Sequence, residues 1–422
     1  MSEPVKTKKT FIQRIKNMGP GAIVTAAVVG PGTVTSCGLA GFNFSFALAW
    51  ALLFSVIAMA IMQRMTGKIG LVAGMGLSDA IREAFKSSAW RIPLTVLIII
   101  ALFCGNCAYQ AGNVVGAATG VSILFGDHRL IYCLIISAAA LALVLSGSIK
   151  YIANVLTGIV FLMAIVFLIT AIVVKPDLGA LIKGMFAPSI PDGATLTSIA
   201  LIGTTLVPYC LYLHASTAAS KKAADPDMDV EDALIDNTYD SVTNAVLTAI
   251  ISISIMVVGC SLALRDETVS GVADLAAGLE PVAGTWAKAI FALGIFAAGI
   301  SSATTAPLAA TYVITGILGW STDLKDKKFR TIALIVFALG CVVAIMGGTP
   351  TSIITMAQAI NGVALPLSVC MVVYVANKSE ILGKYVNKTV MNVLGLLVLV
   401  ITLFMAYRTF VVYAPQIIGW FA

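Results

Sequence analysis

The sequence predicts an all-α membrane protein with many spans, and three observations carry that prediction. Of the 422 residues, 59% are hydrophobic and only 11% are charged, whereas soluble domains average about 25% charged residues. The mean hydropathy is +1.00. Apolar runs long enough to cross a bilayer recur along the whole chain. A chain this poor in charge cannot cover a water-soluble fold of its size, which excludes a cytosolic enzyme, a disordered protein and a nucleic-acid binder.

Eleven apolar segments have the length that a helix needs to cross the hydrocarbon core, about 20 residues. The stretch before the first segment is polar and basic, and it lacks the apolar core and cleavage site of a secretory signal. The predicted spans cover residues 18–42, 44–63, 92–118, 130–148, 151–174, 196–219, 241–264, 284–318, 331–348, 352–376 and 389–410.

The placement of positive charge predicts the orientation of these spans. With the N-terminus in the cytosol, 20 of the 26 Lys and Arg residues fall on the cytosolic side and six outside, as the positive-inside rule requires. We expect a multi-pass protein of the plasma membrane, which in a bacterium is the inner membrane. The predicted organisation is a cytosolic tail (1–17), five helices (18–174), an extracellular loop (175–195), five more helices (196–376), and an eleventh helix with the C-terminus (377–422).

Two of the predicted helices are interrupted at matching places. The first span contains Gly-Pro-Gly at residues 30–32, and the sixth contains Gly-Thr-Thr-Leu-Val-Pro-Tyr at residues 203–209. The two prolines are 177 residues apart, about five spans, so a repeat between the halves must be inverted. Paired broken helices in inverted halves indicate the substrate site of a secondary transporter. The alternative is two ordinary proline kinks in packed helices.

The motifs around the breaks resemble those of the Nramp family, whose members are proton-coupled divalent metal transporters with the LeuT fold. The resemblance extends over nearly the whole chain. It implies a 5+5 inverted repeat in which helices 1 and 6 are discontinuous. The matching runs are Gly19-Pro20-Gly21, Gly30-Pro31-Gly32-Thr33, Lys68-Ile69-Gly70, Ser78-Asp79-Ala80 with Glu83, Leu211-Tyr212-Leu213-His214-Ala215, Phe291 to Ser302, and Gln358 to Pro366.

The positions that bind metal in the family differ in this sequence. The family's Asp and Asn of the first break correspond to Gly30 and Thr33, and its Met of the second break corresponds to Val207. An Asp and a Glu that the family links to proton movement correspond to Gln110 and Asn113. The resemblance therefore implies the family's fold with altered chemistry at its site.

The residues left at the breaks favour a ligand of low net charge. A half-helix that begins near Gly32 presents unpaired N–H groups and a positive dipole end, which suit a carboxylate. Hydroxyl and amide side chains add donors, and the unwound ends offer carbonyl groups that hold a cation. The predicted substrate-binding residues are Ala27, Gly30, Gly32, Thr33, Thr35, Ser36, Gln110, Asn113, Thr204, Val207, Tyr209, Gln358 and Asn361, with Asn106 as a further lining residue.

We therefore predict a secondary transporter of a small carboxylate-bearing organic solute, for example a di- or tricarboxylate such as citrate, free or as a metal chelate. The alternative is a divalent metal transporter that binds magnesium or manganese as a largely hydrated ion. A third hypothesis, a sensor that kept the fold and lost the site, predicts bulky apolar residues at the breaks. Gly30, Gly32 and Thr33 argue against it.

Proton coupling has one obvious titratable candidate within the spans, His214. Asp236 and Asp240, at the start of the seventh span, are expected in a solvated loop or a gate. Uniport and symport through the substrate's own carboxyl group also stay open. We expect no enzyme activity, no cofactor and no protein ligands for a bare metal. The expected partners are the lipid bilayer and a small-molecule substrate, with a divalent metal bound to it in one alternative; nucleic acid is not expected.

Overall fold

The computed structural model of the protein describes residues 29–146, 149–265, 268–322, 325–346 and 348–419. Helices make up nearly all of these residues. In the first half they are α1 (Pro31–Phe44), α2 (Ala49–Ala73), α3 (Leu77–Ala84), α4 (Arg91–Phe125), α5 (Arg129–Ser146), α6 (Ile149–Val173) and α7 (Leu178–Phe186).

The second half begins with the two parts of the sixth predicted span. It continues through a chain segment of short helical turns before the eighth span. The helices are α8 (Thr195–Thr205), α9 (Pro208–Ala224), α10 (Val230–Ala263), α11 (Glu280–Ala283), α12 (Ala287–Leu318), α13 (Lys327–Met346), α14 (Pro350–Val375), α15 (Ser379–Leu382) and α16 (Thr389–Gly419), with 3₁₀ turns at Val272–Leu279, Gly284–Trp286 and Gly383–Tyr385.

The helices coincide with the predicted spans. Eight helical stretches among the described residues are long and apolar enough to cross a membrane. A ninth is counted if Val160–Val173 and α7, which are bent by 115° to each other, form one broken span. The apolar stretch Arg129–Leu145 is shorter. The inner part of the first predicted span lies outside the described residues.

The loops contain structure that the span count does not predict. Helix α10 begins at Val230, eleven residues before the predicted seventh span, because the Asp229 carboxylate caps it by accepting from the N–H of Glu231 at 3.0 Å. Helix α7 lies within the predicted extracellular loop and is capped in the same way by Asp177. Hydropathy identifies the apolar part of a helix and passes over its polar first turns.

Small residues allow the central helices to approach closely. Helix α1 packs against α10, where a Cβ on Gly259 would stand 2.0 Å from the carbonyl oxygen of Gly38. Helix α4 packs against α12, α13 and α14, and α8 packs against α14. Contact through small residues is the usual way in which membrane helices associate. The packing places the two interrupted helices in the interior of the bundle.

Candidate functional site

The second break is a two-residue interruption between α8 and α9. Helix α8 ends at Thr205, Val207 is extended (φ −79°, ψ 127°), and α9 begins at Pro208. A proline has no N–H group, and its ring clashes with the carbonyl four residues earlier in a continuous helix. The end of α8 therefore presents carbonyl groups without their helical partners.

The first break is described from its outer side. Gly30 is extended (φ −102°, ψ −177°), and α1 begins at Pro31. The Gly30 carbonyl accepts from the N–H groups of Thr33 (3.0 Å) and Val34 (3.3 Å). The sequence predicts several unpaired backbone N–H groups at the start of α1. The structure leaves fewer, because Pro31 has no N–H and the N–H groups of Thr33 and Val34 are bonded. In the first turn of α1, the N–H of Gly32 is the one without a backbone acceptor in the described part of the chain.

A hydrogen bond joins the two breaks directly. The hydroxyl groups of Thr33 and Thr204 lie 3.1 Å apart, although the residues are 171 positions apart in the sequence. Both side chains are fully buried. The structure thus brings together two of the predicted binding residues, one from each interrupted helix. Ala27, a third predicted residue, lies outside the described residues.

Gln358 of α14 packs against both breaks. A Cβ on Gly32 would stand 2.1 Å from the Gln358 Nε2 atom, and a Cβ on Gly203 would stand 2.1 Å from the Gln358 carbonyl oxygen. A larger residue at position 203 would collide with backbone, whereas one at position 32 would displace the Gln358 side chain. The Gln358 amide therefore lies beside the first turn of α1, as the sequence predicts.

Gly30 faces a small polar niche formed by two other helices. A Cβ on this residue would stand 3.0 Å from the Ser302 hydroxyl of α12 and 3.9 Å from the Asn113 Oδ1 atom of α4. Both side chains are buried. Ser302 is absent from the predicted site, although a Ser-Ser pair in the middle of an apolar span is the sequence signal for it. We call Gly30, Asn113 and Ser302 the polar niche.

Several polar atoms around this niche are buried without a hydrogen-bond partner in the described part of the protein. Burying such a group in an apolar interior costs about 1–3 kcal/mol by protein measurements. The packing of the surrounding helices must offset this cost. The atoms are Asn113 Nδ2, Ser302 Oγ, Gln358 Nε2 and Oε1, Thr35 Oγ1, and Ser36 Oγ.

Other predicted residues lie at the edge of this region. The Gln110 side chain packs against Gly340 of α13, and Asn361 lies beside Gly105 of α4. Asn106 donates to the Leu102 carbonyl of its own helix at 2.7 Å, which is a packing contact. These contacts join Gln110 to α13 and Asn361 to α4, and they bond Asn106 to its own helix.

Two predicted residues of the second break are fully enclosed. Val207, at the position of the family's Met, is buried and offers no side-chain ligand. The Tyr209 ring meets the Tyr109 ring of α4 edge to face, with 5.4 Å between the centroids. Tyr109 was not predicted, because one more aromatic residue in an apolar span carries no distinctive pattern.

A separate ionisable cluster surrounds His214, which lies on α9 and is fully buried. Its Nδ1 atom is 3.1 Å from the Thr66 hydroxyl of α2, and its Nε2 atom is 4.0 Å from the Asp240 carboxylate of α10. The expectation of Asp240 in a solvated loop is wrong, since this residue is only 4% exposed inside α10. The apolar-run criterion starts the seventh span one residue after Asp240 and so excludes it.

The described residues contain no group of three or more His, Cys, Asp or Glu side chains arranged to hold a metal ion. Soft transition metals prefer thioether, thiolate and imidazole ligands, and hard divalent ions prefer carboxylates. The side chains at the niche are hydroxyl and amide groups instead. The niche can donate and accept hydrogen bonds but contributes no formal charge.

Sequence comparison identifies the family. The profile described as "Natural resistance-associated macrophage protein-like" (Nramp) matches residues 21–412. The divalent metal cation transporter MntH of Yersinia pestis (strain Pestoides F) is 26% identical over 412 residues, which cover 94% of this chain and 95% of the relative. The metal transporter Nramp5 of Oryza sativa subsp. japonica is 27% identical over 423 residues, covering 94% and 76%.

Solved structures share the fold. The manganese transporter of Eremococcus coleocola, in complex with an aromatic bis-isothiourea substituted compound, superposes with a TM-score of 0.78 at 21% identity, covering 100% of this chain and 90% of the other. The nucleobase-cation-symport-1 family transporter Mhp1, with bromovinylhydantoin bound, gives a TM-score of 0.58 at 15% identity, covering 93% and 92%. The predicted LeuT-type fold is confirmed.

Because the family profile covers nearly the whole sequence, the chain belongs to the Nramp family. It is an Nramp-family secondary transporter in a multi-pass membrane fold, and it is not an enzyme.

Proposed function

We propose that this Nramp-family transporter moves a small carboxylate-bearing organic solute by alternating access. A di- or tricarboxylate such as citrate, free or as a metal chelate, is the substrate class we infer. The observation that carries the proposal is the polar niche. At the position that corresponds to the family's metal-binding Asp, Gly30 packs against Ser302 and Asn113, two uncharged side chains with unpartnered atoms.

The groups around the niche suit an oxyanion. The 14-residue helix α1 points its N-terminal end toward this region, and such an end attracts negative charge. The Asn113 and Gln358 amides and the Ser302 hydroxyl are donors that carboxylate oxygens accept from. No Lys or Arg stands in the middle of a predicted span. The niche therefore favours a mono-anion or a charge-compensated chelate over a free trivalent anion.

Divalent metal transport is the second candidate, and the named relatives favour it. MntH of Yersinia pestis and the Eremococcus coleocola protein are described as divalent metal and manganese transporters. In this chain the ion would keep its waters, which the hydroxyl and amide groups would hold. Magnesium dehydrates reluctantly and suits such binding better than a soft metal. The fold does not distinguish a metal substrate from an organic one, since the Mhp1 structure of similar fold has a hydantoin bound.

We place proton coupling at the buried pair of His214 and Asp240. A histidine is the side chain whose charge changes nearest to physiological pH, and ionisable groups inside membranes usually mark ion pathways. The other charged residues on these three helices are Arg64 and Lys68 of α2, Lys221 and Lys222 of α9, and Glu231, Asp232 and Asp236 of α10. Symport through the substrate's carboxyl group is the competing mechanism. The proposal includes a cytosolic N-terminus and a plasma-membrane location.

Uptake into proteoliposomes separates the two substrate classes. We expect no flux of manganese or magnesium alone, and accumulation of labelled di- or tricarboxylate, tested with and without magnesium. The Thr33→Ala variant should impair uptake. Thr311→Ala is the matched control, because that buried hydroxyl donates to the Pro307 carbonyl of its own helix. Metal flux in the absence of any organic acid, abolished by Thr33→Ala, would refute the carboxylate proposal in favour of the second candidate.

A further inference from the structure

An apolar groove of about 580 Å³ lies between α2, α16 and the segment that follows α7. One wall is the α2 face with Leu53 and Ile57, and the opposite wall is the α16 face with Ile401 and Phe404. Met185, Pro188, Ser189 and Ile190 also line it. Each wall has the three-, four- and seven-residue spacing of a single helix face. We call this feature the outer groove.

Arg408 is the one charged side chain among the described residues that line the groove. It is half-buried, and the structure gives it no acidic partner among the described residues. An unpaired guanidinium beside an apolar surface in a membrane is costly unless it meets an anion or reaches the interface. Arg408 thus supplies a cation at the outer groove, with which an anionic group could pair.

The position of Arg408 along α16 places it at a membrane boundary. Helix α16 begins at Thr389, and a rise of 1.5 Å per residue puts Arg408 roughly 29 Å further along the axis, about the thickness of the hydrocarbon core. Trp50, at the start of α2, lines the same groove and donates from Nε1 to the Ser189 carbonyl at 2.8 Å. Tryptophan at this depth is typical of the interface.

We propose that the outer groove binds one anionic glycerophospholipid, with an acyl chain between α2 and α16 and its phosphate on Arg408. The apolar walls match the chain, and the single cation at the interface matches the headgroup. The phosphatidylglycerol headgroup has a net negative charge, whereas that of phosphatidylcholine carries a compensating positive charge. Arg408 should therefore attract phosphatidylglycerol more strongly than phosphatidylcholine. This inference does not depend on which substrate the transporter carries.

The test uses the purified full-length protein, incubated with phosphatidylglycerol or phosphatidylcholine and analysed by native mass spectrometry. We expect one phosphatidylglycerol per chain to survive detergent exchange and to raise the melting temperature. Arg408→Gln should lower that retention at least tenfold. Arg265→Gln, which removes an exposed arginine outside the groove, is the matched control and should retain the lipid.

A second variant tests the walls rather than the charge. Leu53→Trp fills the groove with a larger apolar side chain and should displace the lipid while Arg408 stays in place. Equal retention of the two lipids, retention by Arg408→Gln at the wild-type level, or a groove that holds detergent alone would each overturn the proposal.

Discussion

The polar niche and the His214 cluster differ in the kind of chemistry that they bury. The niche joins α1, α4 and α12 through hydroxyl and amide groups and contains no formal charge. The His214 cluster joins α2, α9 and α10 and contains a histidine 4.0 Å from a carboxylate. The proposed solute site and the proposed titrating pair thus lie in separate places. In the family the corresponding acids stand at the metal site and on the third span, as the resemblance implies.

Helix α9 connects the two regions. It begins at Pro208, where the second break ends, and carries His214 six residues later, roughly 9 Å along the axis. The Thr33–Thr204 hydrogen bond holds the other side of the same break. A tilt of α9 would therefore change both the opening of the site and the distance from His214 to Asp240. This geometry offers a direct route for coupling.

The largest expected effect is the loss of the close packing that forms the site. Gly203→Ala would place a Cβ 2.1 Å from the Gln358 carbonyl oxygen, so backbone must move. Overpacking of this kind costs about 1–3 kcal/mol. We expect transport to fall below a tenth of the wild-type rate and the melting temperature to drop. Gly158→Ala is the control, since a Cβ there meets nothing within 4 Å. Wild-type uptake by Gly203→Ala would contradict the arrangement described here.

The second prediction separates coupling from binding. Asp240→Asn removes the carboxylate beside His214 but leaves the niche intact. A pH gradient should then no longer drive accumulation, which we expect to fall roughly tenfold, while exchange of substrate across the membrane continues. Asp236→Asn, one turn earlier on α10, is the matched control. If Asp240→Asn still accumulates substrate fully in response to a pH gradient, His214 and Asp240 do not couple transport to protons. Symport through the substrate's own carboxyl group would then be favoured.

The smallest effect is expected from the hydrogen bond between the breaks. Thr204→Val removes one hydroxyl of the Thr33–Thr204 pair at nearly constant volume. A hydrogen bond of this kind contributes about 1 kcal/mol, so KM should rise roughly fivefold with a smaller change in kcat. Thr315→Val, whose hydroxyl donates to Thr311 within α12, should leave KM unchanged. An unaltered KM in Thr204→Val would contradict the assignment of the Thr33 and Thr204 hydroxyls to the binding site.

The sequence predicts much of the fold and part of the site. The breaks at Pro31 and Pro208 are predicted from proline beside glycine and hydroxyl residues at matched spacing. Proline alone is not enough, since Pro307 and Pro366 lie inside continuous helices. Ser302 and Thr66 were missed because a hydroxyl in an apolar run also occurs as an ordinary helix contact. Asp240 was misplaced because hydropathy cannot tell a polar helix turn from a loop. Only packing decides which polar residues come into contact.

Manganese uptake tests the central claim most directly, namely that the site lacks the ligands for a bare metal ion. The wild type is compared with a triple variant, Gly30→Asp, Thr33→Asn and Val207→Met, that introduces the residues which the family has at these positions. We predict no manganese flux by the wild type without an organic acid, and measurable flux by the triple variant. Manganese uptake by the wild type at a rate equal to that of the triple variant would contradict the account.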